Sequence, residues 1–394
     1  MGQLNRRIHA AGRSLAALFL TVGGLAACGP SEQLPEVTPS AHEPANGSPE
    51  PEPASQGNLK EMGRGLYLKE TLPPAGMEFI DHVVVTGDWT EFEPRDQDFT
   101  GPGWSRLAEM LTNPEIKVRL RILAGRGAPG FVKAMGVPPV SGDGVDCSQE
   151  GGVAIAKKAT STDGLAKAAS SGCVPYFWTA PVLGQYEELM KEVSRRHESN
   201  PRLLDVVDSA CMTFFAEPFI RAGRSGTTNE RLFDAGLNER TDEACHRRSL
   251  EIHDEVFPTT RVSLATHTGW QIVSDPDEAR NGVMVSWERQ KDLLDDLRRR
   301  YGAKLVVQNN GLGGNEGCRR SDEPDESHFC WLANAEPPKG FQTEGDNRLT
   351  NRGFTVMDAV EQAVEMGACF VEHNQFGDDA EQAEDYDRRL KENC

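Results

Sequence analysis

Two glutamates, Glu217 and Glu344, follow short apolar stretches and are the candidate chemical groups of this chain. The run Leu204–Phe215 is too rich in valine and phenylalanine for a comfortable helix, and it predicts a buried strand that leads to Glu217. Pro218 then prevents the strand from continuing as a central ladder. At the carboxyl end of a barrel strand a glutamate is a catalytic candidate, although a lone glutamate there is more often a capping or salt-bridged residue. Glu344, after a second predicted strand, strengthens the catalytic interpretation.

Strand-like and helix-like segments alternate through residues 59–394, and this order predicts an α/β fold with a parallel sheet. About eight strands favour a closed (β/α)8 TIM barrel over an open, doubly wound sheet. The predicted strands are Gly65–Lys69, His82–Gly87, Val118–Ala124, Leu204–Phe215, Arg261–Thr266, Lys304–Gln308, Gly340–Thr343 and Ala368–Glu372. The predicted amphipathic helices are Trp104–Leu111, Gln185–His197, Asp242–Val256, Val285–Tyr301 and Val356–Met366.

Residues 1–27 have the pattern of an export signal. Three arginines precede the apolar run Leu15–Ala27, which is too short to span a bilayer. The run ends at Cys28 in the sequence Leu-Ala-Ala-Cys, which resembles the lipobox of bacterial lipoproteins and implies that Cys28 is lipidated. The alternative is an ordinary cleaved signal peptide in which Cys28 is incidental. Gly29 stands in place of the aspartate of an inner-membrane retention signal, which favours the outer membrane if the cell has two.

Residues 28–58 are rich in proline, serine and glutamate and nearly free of large apolar side chains. Such a segment cannot bury enough surface to fold, so we expect a disordered tether between the lipid anchor and the barrel. The body would then lie in the periplasm or outside the cell, attached to the cell envelope. The formal net charge of −19 argues against a nucleic-acid partner. The glycine-rich stretch Gly311–Gly317 is not followed by a helical pattern, so neither a nucleotide nor another cofactor is expected.

The chain has nine cysteines, and setting aside Cys28 leaves an even number, as an oxidising compartment favours. One predicted disulfide joins Cys147 to Cys173 across a Gly/Ala/Ser-rich insertion, and another joins Cys318 to Cys330 across a polar loop. The sequence does not show how the remaining four pair, namely Cys211, Cys245, Cys369 and Cys394. No cysteine pair has zinc-ligand spacing with histidine, so no metal is expected.

Several segments resemble those of β-galactosidase-like glycosidases in clan A of the glycoside hydrolases. The stretch Asp88–Pro94 after the second strand is similar to the family's "W…EP" segment. Further similar segments follow in the same order, at 104–107, 118–129, 174–178 and 195–201. The resemblance covers residues 62–376 as an order of segments and is specific in the first half.

In that family two glutamates, at the ends of the fourth and seventh strands, flank the glycosidic bond. The resemblance implies that Glu217 is the acid/base, with a pKa raised enough to keep a proton, and that Glu344 is the nucleophile of a retaining mechanism. Glu372, at the end of the eighth predicted strand, is a rival for the second carboxylate. The family usually has an asparagine before the acid/base, where it binds the sugar 2-hydroxyl. Here Ala216 occupies that position, which puts activity in doubt more than fold.

Sugar rings stack on aromatic side chains and exchange hydrogen bonds with polar ones, so residues of both kinds near strand ends are candidate substrate ligands. They are Trp89, Trp178, His267, Trp270 and Asn309. Each alone is equally explained by core or loop packing. The sequence therefore leaves three functions open: an anchored glycosidase acting on saccharide, a catalytically inactive barrel that binds a glycan or cell-surface polymer, and a structural lipoprotein.

Lipidation makes a direct prediction for Cys28. Replacing it with serine removes the thiol that would carry the lipid, so the Cys28→Ser variant should move from the membrane fraction to the soluble fraction. Cell fractionation followed by immunoblotting measures the change, with the unaltered chain as reference. Identical fractionation of the two proteins would show that Cys28 does not anchor the chain.

Overall fold

The computed structural model describes residues 58–136, 138–156, 171–218, 227–266, 287–314, 318, 328–377 and 379–394. Eight parallel strands form a closed barrel in the order β1-β10-β9-β8-β7-β6-β3-β2, which confirms the predicted (β/α)8 fold. These strands are β1 (Gly65–Lys69), β2 (His82–Asp88), β3 (Lys117–Leu123), β6 (Leu203–Val207), β7 (Arg261–Thr266), β8 (Leu305–Leu312), β9 (Lys339–Thr343) and β10 (Phe370–His373). Outside the barrel, β4 (Val153–Ala156) and β5 (Ser171–Val174) form an antiparallel pair.

Helices follow most barrel strands and cover the outside of the barrel. They are α1 (Gly103–Thr112), α2 (Gly130–Lys133), α3 (Ala180–His197), α4 (Thr227–Asp234), α5 (Glu239–Val256), α6 (Trp287–Tyr301), α7 (His328–Asn334), α8 (Asp346–Asn351), α9 (Val356–Glu365) and α10 (Ala380–Glu392). In the part of the chain that the structure describes, no helix is long and apolar enough to cross a membrane. The predicted signal peptide, Cys28 and all but the last residue of the predicted tether lie outside the described residues.

Alternate side chains of each strand face the helices or the barrel interior. On β3, Leu120 and Ile122 belong to the apolar layer between strands and helices, whereas Arg119 hydrogen-bonds to side chains of three other strands. The lower part of the interior is filled by apolar side chains, including Tyr67 and Phe370. The interior above them is therefore polar, and the apolar core lies mainly outside the barrel wall.

The fourth barrel strand is shorter than the predicted Leu204–Phe215, because β6 ends at Val207. The backbone N–H of Asp208 still donates to Ser263 O, but the Asp208 carboxylate then accepts from the N–H of Ala210 at 3.3 Å. Such a local side-chain bond turns the backbone away from the ladder. The apolar pattern after residue 208 therefore predicted correctly that these residues are buried, but the predicted strand was wrong. Glu217 lies in a loop.

Four disulfides hold long connections to the barrel. The two predicted pairs, Cys147–Cys173 and Cys318–Cys330, are both present. The first joins the β4–β5 pair to the loop that precedes it. The sequence did not predict β4 and β5 as strands. The other two are Cys211–Cys245 and Cys369–Cys394.

The packing of side chains at the bottom of the barrel predicts that a substitution of Gly340 on β9 changes stability. A Cβ atom at this position would lie 2.4 Å from Cζ of Phe370, whose ring fills the interior. Gly340→Ala should therefore lower the free energy of unfolding by about 1–3 kcal/mol, measured by urea titration. Gly184→Ala is the matched control, because nothing lies within 4 Å of its Cβ on α3, and helix propensity should raise stability by roughly 0.5–1 kcal/mol. Similar values for both variants would contradict this packing.

Candidate active site

A cavity of about 590 Å³ opens at the carboxyl ends of the barrel strands. This is the face on which (β/α)8 enzymes carry their active sites. Its walls come from the ends of five barrel strands, β1, β2, β3, β8 and β9, and from the loops that follow β1, β6, β9 and β10. The lining residues are Lys69, Glu70, Thr86, Arg121, Leu123, Phe215, Ala216, Glu217, Asn310, Gly311, Gln342, Glu344, Gly345, Asp346, Asn347, Arg348 and Asn374. Glu217 and Glu344 therefore share one cavity, whereas Glu372 is not among its lining residues.

The loop that carries Glu217 is held by its backbone and by its neighbours. The O atom of Thr213 accepts from the N–H of Arg126 at 2.8 Å. A Cβ on Gly125 would lie 2.1 Å from that same oxygen, so only glycine lets the two loops approach this closely. Further back, the buried carboxylate of Asp208 accepts from Ser249 Oγ at 2.6 Å. The Glu217 side chain, only 7% exposed, is thus placed by a fixed loop.

Glu344 follows β9 directly, and its backbone N–H donates to Leu312 O at 2.8 Å. Its side chain is 12% exposed and lies between two arginines. Arg352 Nη1 is 3.3 Å from one carboxylate oxygen, and Arg348 Nη1 is 3.8 Å from the other. The two arginines offset the negative charge of this carboxylate and restrict its orientation.

Glu372 lies below the cavity and has a different environment. It is fully buried, and its two oxygens accept from Arg119 Nη1 at 2.5 Å and Arg121 Nη2 at 2.6 Å. Burial by itself would raise its pKa, but Arg121 and Arg119 outweigh this effect and lower the pKa of Glu372 to about 2. At neutral pH Glu372 is therefore an ionised partner of two buried arginines, and among the three candidate carboxylates it is the one engaged inside the barrel.

Arg119 completes this interior network. Its guanidinium bonds to both oxygens of Asp205, at 2.7 and 3.1 Å, and to Gln308 Oε1 at 2.8 Å. It also stacks 4.0 Å above the ring of Phe370. Burial would lower the pKa of Arg119, yet the carboxylates of Asp205 and Glu372 raise it above its usual value. The floor of the cavity consequently consists of charged side chains that form ion pairs with one another.

Lys69, the last residue of β1, brings a further cation to the cavity. Burial lowers the pKa of Lys69 and the neighbouring Arg121 lowers it further, while nearby carboxylates, including Glu217, act in the opposite direction. Sequence reasoning missed both Lys69 and Arg121. Each could have been recognised in the sequence as a charged residue at an inward-facing position of an otherwise apolar strand.

The predicted substrate ligands lie in different places. Trp89 is buried in the core, where its Nε1 donates to Glu93 at 2.8 Å. Trp178 packs edge-on against Phe177, with ring centroids 4.9 Å apart. Asn309 is buried and donates to Thr266 O at 3.2 Å. None of the three lines the cavity.

His267 and Trp270 lie outside the described residues. The aromatic side chain that the structure does bring to the cavity wall is Phe215, which is 41% exposed. Ala216 lies in the wall beside Glu217, where it offers no side-chain amide to a bound ligand. Within the described ranges, no group of three or more His, Cys, Asp or Glu side chains is arranged to hold a metal ion.

No protein-family model matches the chain. No curated protein matches it either. Among solved structures, endo-glycoceramidase II from Rhodococcus sp. with a five-membered iminocyclitol is similar over 82% of this chain and 76% of its own, with 15% identity and a TM-score of 0.44. The exo-β-1,4-mannosidase Op5Man5 from Opitutaceae bacterium strain TAV5 shares 13% identity over 81% of this chain and 54% of its own, with a TM-score of 0.39.

A β-galactosidase from the psychrophilic Marinomonas ef1 shares 10% identity over 83% of this chain and 59% of its own, with a TM-score of 0.41. All three TM-scores are below 0.5, and the (β/α)8 fold rests on the closed eight-stranded barrel of this chain itself. A likeness of this degree does not extend to activity, substrate or mechanism.

The buried ion pairs predict that Glu372 stabilises the fold. Its pKa is lowered from 4.5 to about 2, so its contribution is present above pH 4.5 and is lost as the pH falls towards 2. Glu372→Gln leaves two buried arginines short of a charge and should cost about 3–5 kcal/mol of unfolding free energy at neutral pH. Chemical denaturation from pH 7 to pH 2 measures this, with Glu361→Gln on the exposed side of α9 as control. The loss should shrink as the solution becomes acidic, and a pH-independent loss would refute this role.

Proposed function

We propose that this chain is a glycoside hydrolase that is anchored to the cell envelope and cleaves saccharide by a retaining mechanism with two carboxylates. One observation carries the proposal: Glu217 and Glu344, far apart in the sequence, line the same cavity at the carboxyl end of a (β/α)8 barrel. This chemistry needs two carboxyl groups on opposite sides of one glycosidic bond. Cavities of this size accommodate small ligands.

In the proposed reaction Glu217 donates a proton to the leaving glycosidic oxygen while the Glu344 carboxylate attacks the anomeric carbon. The resulting glycosyl–enzyme ester is then hydrolysed by a water molecule, whose proton returns to Glu217. The ion pairs of Glu344 with Arg348 and Arg352 support its part, because they hold the carboxylate in one orientation. Glu372 is the weaker candidate for nucleophile, since both its oxygens are engaged by buried arginines.

The proposed location follows from the export pattern and from the disulfides. Lipidation of Cys28 would hold the barrel at the membrane through the tether of residues 28–58. Four disulfides in the described residues suit an oxidising compartment such as the periplasm or the outside of the cell.

A second function is favoured by Ala216. A barrel that binds glycan without cleaving it would keep the cavity but would not need an amide beside Glu217 to stabilise the transition state. Ala216 lines the wall at this point and cannot make such a hydrogen bond. Binding without turnover is therefore the specific outcome that would replace hydrolysis as the function.

Near-isosteric substitutions test the assigned roles. Glu344→Gln should abolish hydrolysis of activated aryl glycosides, because an amide cannot form the glycosyl ester. Glu217→Gln should slow hydrolysis strongly when the leaving group needs a proton, and much less when the leaving group is an activated nitrophenol. A panel of aryl glycosides followed by absorbance gives the rates, and Glu361→Gln serves as the control. The first-formed sugar, read by proton NMR, should retain its anomeric configuration.

Unaltered turnover by Glu344→Gln would exclude Glu344 as nucleophile. A first-formed product of inverted configuration would refute the retaining mechanism. Oligosaccharide binding by calorimetry without cleavage of any panel member would support the inactive-binder function.

A further inference from the structure

The ammonium group of Lys69 stands apart from the buried ion pairs inside the barrel. Arg119 and Arg121 are paired with Glu372, and Arg119 is also paired with Asp205. These four side chains are all at least 95% buried and together carry no net charge. Lys69 then adds one more positive charge at the top of the same interior. Lys69 therefore faces the cavity outside this neutral network, and its compensation comes at longer range from the wall carboxylates of Glu70 and Glu217.

The position of Lys69 follows from the alternation along β1. Tyr67 lies in the apolar bottom of the barrel, and its ring is 4.9 Å from the guanidinium carbon of Arg119. Two residues further on, the Lys69 side chain has the same orientation and reaches the cavity. Within the described part of the chain, its ammonium forms neither a hydrogen bond nor an ion pair within 4.0 Å.

An ammonium group that is partly removed from water without a direct partner lowers stability, so a ligand that supplies an anion would remove an existing cost. We infer that Lys69, with Arg121 beside it, binds the carboxylate of a uronic acid unit in the cavity. This inference rests on the proposed function and specifies its substrate as an acidic saccharide. The side-chain amides of Asn310, Gln342 and Asn374 line the same cavity and suit the hydroxyl groups of such a sugar.

The wall charges also select the kind of anion. Lys69 brings a single positive charge to a cavity that also holds several carboxylates, so a monoanionic carboxylate suits it better than an anion of higher charge. A phosphate monoester brings a second negative charge. That charge would be repelled by the carboxylates of Glu70, Glu217 and Glu344 in the same walls. Phe215, exposed at the cavity wall, offers an aromatic face for the apolar side of the ring.

The first test compares matched aryl glycosides that differ only at carbon 6. Nitrophenyl glucuronides and galacturonides of both anomers are measured beside the corresponding glucosides and galactosides. We expect the best uronide to exceed its neutral counterpart in kcat/KM by tenfold or more. Lys69→Met should reduce this ratio by roughly tenfold to a hundredfold, as loss of a charged hydrogen bond implies. Lys69→Arg should retain most of the preference, and Lys191→Met on the exposed side of α3 should leave it unchanged.

The second test measures binding alone, by calorimetry with trigalacturonic acid, cellotriose and a sulfated trisaccharide on the unaltered chain. Binding of the uronide that weakens in Lys69→Met supports the inference even if no glycoside is cleaved, in which case the proposed hydrolysis fails by itself. Cleavage of neutral glycosides with no uronide preference overturns the inference and leaves the hydrolase standing. Preference for the sulfated sugar, or no uronide binding, also overturns it. Circular dichroism of each Lys69 variant checks that the fold is intact.

Discussion

The rest of this structure depends on one buried guanidinium. Arg119 stands inside the closed barrel and contacts side chains from β6, β8 and β10 while belonging to β3. A lone charge at this depth would be strongly unfavourable, so Arg119 requires the partners Asp205 and Glu372. Because those partners come from distant parts of the sequence, the strands have to meet in one register before the charge is neutralised. The polar interior thus specifies the barrel as well as stabilising it.

That interior also decides which carboxylates are available for chemistry. Both oxygens of Glu372 are engaged by its two arginines, and the carboxylates that line the cavity lie one level higher, on the loops that follow β6 and β9. Glu217 and Glu344 occupy those loops, and Arg348 and Arg352 orient Glu344 outside the network. Along the barrel axis, the buried ion pairs that stabilise the fold therefore lie below the carboxylates proposed for the chemistry. Arg121 belongs to both levels, because it binds Glu372 and lines the cavity.

Much of the fold could be predicted because hydrophobic periodicity reports burial. β1 and β7 have the predicted bounds, β2 and β9 differ by one residue at one end, and β3 is shifted by one residue at both ends. The same signal failed after residue 207, since a buried loop pinned by Asp208 and a disulfide looks as apolar as a strand. The pairing of Cys211 with Cys245 and of Cys369 with Cys394 depends on three-dimensional neighbours that no local spacing reveals. The aromatic candidates Trp89 and Trp178 pack elsewhere, because residue type alone does not give side-chain direction.

The disulfide Cys211–Cys245 gives the cavity a dependence on its chemical surroundings. It ties the loop that carries Glu217 to α5, which packs on the outside of the barrel, so one wall of the cavity is covalently attached to the scaffold. Both cysteines are buried, so the disulfide has to form under oxidising conditions as the chain folds. The wall that carries Glu217 therefore owes its covalent attachment to the conditions of folding, whereas the barrel strands need only their backbone hydrogen bonds.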